Sequence, residues 1–255
     1  MRFSSIGSGS AGNGLVVEQH STRLLLDCGF GLRDAENRLA RINLSPEQIT
    51  GILITHEHED HAGGAFKLAK KYNIPLWLTH GTFKMLERTL PKEPIDIRII
   101  DSHTAFNIND IEVSPYPVPH DAREPIQYTF SNGDKKLGVL TDTGCSTPHI
   151  LEMLSGCHGL VLECNHDLDM LMNGIYPHSL KQRVSGRLGH LDNKASADIL
   201  SKLDNRQLTH IVAAHLSEKN NTPDLAISAL SDALKCEKNW IGIASQETGF
   251  DWREI

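Results

Sequence analysis

The chain has 255 residues, 39% of them hydrophobic, and this length is enough to bury the core of one large α/β domain spanning residues 1–255. Its formal net charge of −7 excludes a general nucleic-acid coat protein, because such proteins neutralise phosphates with an excess of lysine and arginine. No segment has the roughly 20 continuous apolar residues of a membrane span and residues 1–10 do not resemble a secretory signal, so the expected location is the cytoplasm, without membrane attachment.

The first half of the sequence predicts short strands interrupted by two helices. Helical spacing of apolar residues predicts helices over 33–42 and 62–72. The glycines of the segment 7–14 either bring the backbone close to a ligand or form a flexible turn. Segments bounded by turn residues predict strands at 2–6, 14–18, 22–27, 51–55 and 75–78.

The second half continues the same alternation of strands and helices. Short strands recur between 97 and 118, and helices are predicted over 195–203 and 223–235. Meandering strands with helices in both halves favour two packed sheets with helices outside, although periodicity alone also allows a three-layer α/β fold. Further strands are predicted at 126–130, 136–140, 160–162 and 210–214.

The segment 55–61, with the sequence THEHEDH, carries the strongest chemical signal. His56 and His58 point to the same side of an extended backbone and can hold one cation, while Asp60 and His61 can face a second cation at the turn into the next helix. Imidazole and carboxylate ligands suit zinc, manganese or iron. The alternatives are that Asp60 is only a helix N-cap and that the histidines are a surface feature. The H-E-x-x-H spacing of metalloproteases is absent.

The run H-E-H-E-D-H is similar to the H-x-H-x-D-H signature of the metallo-β-lactamase superfamily, and further landmarks follow in order over roughly residues 1–245. The resemblance implies an α/β fold, a four-layer αββα sandwich, in which a buried Asp27 supports the histidine loop. It also implies two divalent metal ions (zinc, manganese or iron). The implied ligands are His56, His58 and His120 for one ion, Asp60, His61 and His215 for the other, and Asp142 bridging both.

Two further residues resemble a glutamate–histidine pair found beside the metals in tRNA-processing members of the superfamily. In that comparison Glu163 orients His190, and His190 assists the departing oxygen. Asp60 would orient a hydroxide that bridges the two metals. The alternative for His190 is a polar residue at the entry of a helix.

Four short motifs are similar to those of the YycJ/WalJ-type subgroup, which is regarded as a group of 5′-to-3′ exonucleases. They are GSGSAGN at 7–13, ECNHD at 163–167, GHL at 189–191 and HLS at 215–217. Asp192 stands where the subgroup motif is expected to have a serine. The resemblance implies an exonuclease with DNA as its partner, and the sequence carries no signal for an oligomeric state. The alternatives are a small-molecule or cyclic-nucleotide phosphodiesterase, a glyoxalase-type thioester hydrolase, and a regulatory metal-binding protein.

Candidate substrate contacts lie mainly around His190. Basic side chains there would contact the phosphate backbone, or they form a solvated helical face. His166 would touch substrate, or it is an exposed residue at the start of a helix. Aromatic residues make up 5% of the chain, so no stacking platform for single strands is evident. The predicted substrate-binding residues are Asn165, His166, Lys181, Arg183 and Arg187, with Lys194 beside them.

Overall fold

The computed structural model describes residues 1–90 and 93–255, and two seven-stranded sheets dominate it. The strands of the first sheet are β1 (Arg2–Gly7), β2 (Gly14–Gln19), β3 (Thr22–Leu26), β4 (Gly51–Leu53), β5 (Leu76–Thr79), β6 (Ile97–Ile100) and β14 (Phe250–Glu254). Their order in the sheet is β14-β1-β2-β3-β4-β5-β6. The strands from β14 to β3 pair antiparallel, and those from β3 to β6 pair in parallel.

The second sheet repeats this arrangement. Its strands are β7 (Phe106–Ile108), β8 (Ile111–Pro117), β9 (Ile126–Ser131), β10 (Lys136–Leu140), β11 (Gly159–Glu163), β12 (His210–Ala214) and β13 (Ile241–Ile243). Their order is β13-β12-β11-β10-β9-β8-β7. Pairing is antiparallel from β7 to β10 and parallel from β10 to β13. One half of each sheet is therefore parallel, and the carboxyl ends of its strands lie at one edge of the sheet. Open α/β sheets bind ligands at this edge.

Helices cover the outer faces of both sheets. They are α1 (Leu32–Arg41), α2 (Glu59–Ala62), α3 (Ala65–Tyr72), α4 (His80–Leu86), α5 (Pro148–Leu154), α6 (Leu168–Asn173), α7 (His178–Val184), α8 (Asn193–Lys202) and α9 (Pro223–Leu234). Thr147, Asp167 and Thr222 each cap the start of the following helix with a side-chain oxygen, which satisfies an otherwise unpaired backbone N–H. In the parts of the chain that the structure describes, no helix is long and apolar enough to cross a membrane.

Three separate apolar clusters show that the molecule has four layers. One cluster lies between the sheets and takes Leu24 and Leu26 from β3 together with Tyr128 and Phe130 from β9. Leu25, which points to the opposite face of β3, belongs to a second cluster under α1 and α3. The third cluster lies between the second sheet and α5, α8 and α9. The αββα sandwich is thereby confirmed, and the three-layer alternative is excluded.

The helix predicted over 62–72 is two helices, α2 and α3, separated by Gly63 and Gly64. A Cβ atom at Gly64 would lie 1.7 Å from the carbonyl oxygen of Phe30, so the backbones approach too closely there for any other residue. Helices α4 to α7, with six or seven residues each, were not predicted. Segments of two turns are too short to show a clear helical period.

Candidate metal centre

The ends of several strands, at the edge where the two sheets meet, carry the ionisable side chains singled out in the sequence. The loop after β4 carries the segment 55–61, and Asp27 follows β3. From the second sheet, His120 follows β8, Asp142 follows β10, Glu163 ends β11 and His215 follows β12. The structure therefore brings together all seven residues predicted as metal ligands, although they are distant in sequence.

His56, His58 and His120 form the first group of potential ligands. Nε2 of His56 lies 2.9 Å from Nδ1 of His58, and Nε2 of His120 lies 3.3 Å from that same atom. These three nitrogen atoms lie within 4.8 Å of one another. The group can hold one cation with three imidazole nitrogens.

Asp60, His61 and His215 form a second group of the same kind. Oδ2 of Asp60 lies 3.4 Å from Nε2 of His61 and 3.6 Å from Nε2 of His215. This group offers one carboxylate and two imidazoles to a cation, a donor set that suits zinc, manganese or iron.

Asp142 lies between the two groups. Its Oδ2 is 3.0 Å from Nε2 of His61, and its Oδ1 is 4.0 Å from Nε2 of His120. The carboxylate is almost fully buried. Oδ1 also lies 3.3 Å from Nδ1 of His215, so the carboxylate lies next to residues of both groups, as a bridging ligand would.

The histidine rings are held by hydrogen bonds on the side away from the cluster. Thr55 has one hydroxyl proton, which it donates to Oδ2 of Asp27 at 2.9 Å, so its oxygen accepts from Nδ1 of His56 at 2.9 Å. Nδ1 of His61 donates to Asp27 at 2.8 Å, and Nδ1 of His120 donates to the carbonyl oxygen of Gly189 at 3.1 Å. These bonds turn Nε2 of each ring towards the cluster, an arrangement typical of metal-binding histidines.

The glycine-rich segment 7–14 contacts the centre through Asn13 and Ser8. The Asn13 amide contacts the backbone and side-chain oxygens of Asp60 at 3.2 and 3.3 Å and Nε2 of His61 at 3.1 Å. The hydroxyl of Ser8 accepts a hydrogen bond from the backbone N–H of His215 at 2.9 Å. The segment 7–14 therefore positions proposed ligands rather than forming a flexible turn. The importance of Asn13 was not visible in the sequence.

The backbone at Gly29 also lies close to the centre. A Cβ atom at Gly29 would lie 1.9 Å from the carbonyl oxygen of Asp60.

Glu163 and His190 form a pair beside the two groups. Oε1 of Glu163 lies 2.8 Å from Nδ1 of His190, and Oε2 accepts a hydrogen bond from the backbone N–H of Thr143 at 3.1 Å. The Glu163 side chain is fully buried, whereas 22% of the His190 side chain is exposed. The pair holds Nδ1 of His190, and His190 lines the pocket in front of the centre.

Three residues of the centre have left-handed backbone conformations. The φ angles are 61° at Asp27, 51° at Asp142 and 55° at His215. Non-glycine residues adopt this region at a cost, which is smallest for Asp, Asn and His. Asp27 and His215 directly follow a strand, and Asp142 follows one after a single residue. This turn of the chain therefore sets the direction in which each side chain leaves the sheet.

Charges in the centre act on one another strongly. Burial disfavours the charged form of His61 and His215, but the nearby carboxylates, with Asp142 the largest contributor among them, together outweigh it. The pKa of His61 therefore lies well above its usual value, and that of His215 is raised to about 10. Burial works against ionisation of Glu163, yet the charge and the hydrogen bond of His190 lower the pKa of Glu163 to about 2. Burial lowers the pKa of His56 and raises that of Asp27. Glu163 is therefore ionised and attracts positive charge to the centre.

The residues of the centre fit divalent cations. Nε2 of His215 is buried and has no hydrogen-bond partner in residues 1–90 and 93–255, although an unpaired buried polar atom is costly. Within the same ranges, no lysine or arginine forms an ion pair with Asp27, Asp60, Asp142 or Glu163. Buried carboxylates need compensation by a partner or a metal. A divalent cation would supply the missing partner for this nitrogen and would add positive charge beside carboxylates that otherwise pair with histidines.

The predicted substrate-binding residues have different positions. Arg183 lines the pocket in front of the centre and pairs with Asp121 at 2.6 Å. Lys181 donates to the backbone of Met172 at 2.7 Å, and Arg187 and Lys194 are exposed; these three do not line that pocket.

Asn165 and His166 are buried rather than exposed. The Asn165 amide donates to the backbone carbonyl of His215 at 3.0 Å and so supports a proposed ligand. His166 therefore does not have the exposed helix-start position that the sequence allowed. Asp192, which stands where a serine was expected, caps α8 by accepting from the N–H of Ala195 at 2.8 Å, a role that serine performs equally well.

The pocket in front of the centre has a volume of about 410 Å³. Metal-centre side chains and His190 form one side of it. Tyr176, Leu180 and Val184, from α7 and the turn before it, form part of another side. This side of the pocket was not predicted from the sequence, because α7 was not predicted.

Comparisons with known proteins agree with this geometry. A family model for the β-lactamase superfamily domain matches residues 22–211. The chain is 36% identical to the exodeoxyribonuclease YycJ of Bacillus anthracis over 236 residues, covering 92% of this chain and 89% of the relative. It is 33% identical to the exodeoxyribonuclease WalJ of Streptococcus pneumoniae over 245 residues, covering 95% and 91%.

Solved structures show the same fold. The metallo-β-lactamase fold protein YhfI of Bacillus subtilis superposes with a TM-score of 0.77 at 14% identity, covering 100% of this chain and 98% of that one. A diphosphatase of the PhnP family superposes with a TM-score of 0.71 at 18% identity, covering 100% and 97%. At these identities the likeness concerns the fold alone.

Proposed function

The chain belongs to the metallo-β-lactamase superfamily and, within it, to the group that contains the YycJ and WalJ exodeoxyribonucleases, and on this basis we propose that it is a metal-dependent 5′-to-3′ exonuclease acting on DNA. One observation carries the proposal: two groups of three ligands, with Asp142 between them, open into the same pocket as His190. A metal-binding protein with only a structural role would not need an oriented histidine at the mouth of its metal site.

We further propose that the centre holds two divalent cations, of zinc, manganese or iron. His56, His58 and His120 would hold one, Asp60, His61 and His215 the other, and Asp142 would contact both. When bound, two such ions neutralise charge on the phosphoryl oxygens and lower the pKa of the attacking water. The orphaned Nε2 of His215 supports this assignment.

His190 would protonate the departing oxygen. Its Nδ1 is held by Glu163 at 2.8 Å, which fixes the ring and stabilises its charged form, so that Nε2 can deliver a proton into the pocket. Asp60, whose carboxylate is partly exposed and lines the pocket, would accept a hydrogen bond from the attacking water and orient it towards phosphorus. Arg183, in the same pocket, would contact a phosphate of the substrate.

End-labelled substrates test the proposal. Metal-reconstituted protein is incubated with single- and double-stranded DNA and RNA labelled at either end, and the products are sized. A 5′-to-3′ exonuclease releases a short product from the 5′-labelled strand at once and shortens the 3′-labelled strand progressively. Turnover of bis-p-nitrophenyl phosphate without any loss of DNA would instead identify a small-molecule phosphodiesterase.

A further inference from the structure

One wall of the pocket in front of the metal centre has no role in holding the metals or moving a proton. Tyr176, Leu180 and Val184, each four residues from the next, all line this wall. Leu180 and Val184 lie next to each other on one face of α7, and Tyr176 lies in the turn before that helix. The remaining groups around the pocket are largely ionisable, among them Asp60, Asp142 and His190.

An apolar wall is not needed to bind phosphate or deoxyribose, but it suits a flat, uncharged base. Bases bind proteins chiefly by stacking on aromatic side chains, and any base can stack because each has a π-face. The Tyr176 ring is only half-buried. The ammonium group of Lys219 lies 5.8 Å from the centre of the same ring, which places a positive charge beside the ring.

The size of the pocket also limits the form of the substrate. Its volume of about 410 Å³ is near the lower end of the roughly 300–1,000 Å³ range of sites that enclose small ligands, a size that suits one nucleotide better than a base pair.

We propose that Tyr176, with Leu180 and Val184 beside it, is a stacking platform for the base of the terminal nucleotide, so that the enzyme takes one unpaired nucleotide at a time. The inference rests on the proposed exonuclease function and specifies its substrate as an unpaired end. It also supplies the aromatic contact that the low aromatic content of the sequence did not suggest.

A double comparison of base and side chain tests the platform. Two single-stranded 3′-labelled oligonucleotides are used, identical except that one begins with thymidine and the other with an abasic tetrahydrofuran residue. For the unmodified protein, removal of the base should lower kcat/KM about tenfold, mainly by raising KM, which is the size expected for one stacked base. In Tyr176→Ala the ratio between the two substrates should fall close to one, and Tyr176→Trp should restore it.

Two further variants make the test decisive. Tyr176→Leu keeps apolar bulk without the ring, so it covers the case in which the alanine variant does not fold, and it should also lose most of the ratio. Tyr72→Ala removes a tyrosine outside the pocket, at the end of α3, and should keep the ratio of the unmodified protein. If Tyr176→Ala and Tyr176→Leu keep the ratio of the unmodified protein, the platform alone is overturned. This holds whether their activity is unchanged or falls equally on both substrates. Failure of the unmodified protein to shorten either oligonucleotide overturns the proposed function and the platform together.

Discussion

Oε1 of Glu163 lies 2.8 Å from Nδ1 of His190. The same oxygen lies 3.2 Å from Nδ1 of His215, so one carboxylate orients both a proposed proton donor and a proposed metal ligand. The sequence suggested only the first contact. The effects of removing the carboxylate and of removing His190 should therefore differ.

His190→Asn should reduce kcat while the bound metal stays, because His190 belongs to neither group of three ligands. A positioned acid typically contributes about 10²–10⁴-fold, and a loss of this size in kcat is expected. Glu163→Gln should lower kcat and also weaken metal affinity by about 10–100-fold, since the partner of a ligating histidine is lost. Metal content measured by plasma mass spectrometry beside kcat on DNA checks both. Equal metal loss in the two variants would contradict the assignment.

Asp142→Asn should abolish most of the activity and reduce the metal content. Asparagine matches aspartate in shape and tolerates the left-handed backbone at this position, so the change removes mainly the negative charge between the two groups. The matched control is Asp198→Asn, which removes an exposed carboxylate that pairs with Lys202 and should leave both quantities unchanged. Retention of the full metal content by Asp142→Asn would show that Asp142 does not bind metal.

Gly29→Ala should destabilise the protein, whereas Gly31→Ala should not. A Cβ atom at Gly29 would lie 1.9 Å from the carbonyl oxygen of Asp60, but one at Gly31 has no atom within 4 Å. Overpacking of this kind costs about 1–3 kcal/mol, while open surface positions usually change stability by about 0.5 kcal/mol or less. Urea unfolding of the two variants gives the comparison. Metal affinity should fall only in Gly29→Ala, because Asp60 must move.

Removal of the metal should lower the melting temperature, and its return should restore it. Cations that bind only the folded state add about 2.7 kcal/mol to the free energy of unfolding when free metal is 100 times the Kd. The buried carboxylates of the centre lose their compensating charge in the metal-free protein. Calorimetry over a series of free zinc or manganese concentrations measures the effect. A melting temperature independent of metal concentration would argue against a metal centre in the folded protein.

The candidate metal centre was largely predictable from the sequence, because its proposed ligands follow strands whose boundaries the sequence also indicates. His56 and His58, two residues apart after a buried strand, carry their own geometric signal. His120, Asp142 and His215 carry none, and only the order of the superfamily's landmarks singled them out. Their convergence depends on two sheets that pack face to face with these strand ends at the same edge, which no local pattern encodes.

The surroundings of the centre were less predictable. The Asn13 amide acts through contacts 47 and 48 residues away, and nothing in the glycine-rich segment distinguishes it from its neighbours. The apolar residues of the short helix α7 show no clear helical period, so the pocket wall that contains Tyr176 was not predicted. Asn165 was expected to contact substrate, yet its amide holds the backbone of His215, because tertiary packing turned it inward.

The left-handed backbone at Asp27, Asp142 and His215 has a consequence for laboratory evolution. Glycine would relax the local strain, but it would also remove a buried side chain and leave that side chain's partners unpaired, which is costly. Asparagine tolerates the same backbone and at Asp142 removes a buried charge without emptying the site, so it is the change that selection for heat resistance of the metal-free protein would favour. Selection for thermal resistance alone would therefore move this protein towards a sturdier and inactive form. A useful screen must therefore select for catalytic turnover and for thermal stability at the same time.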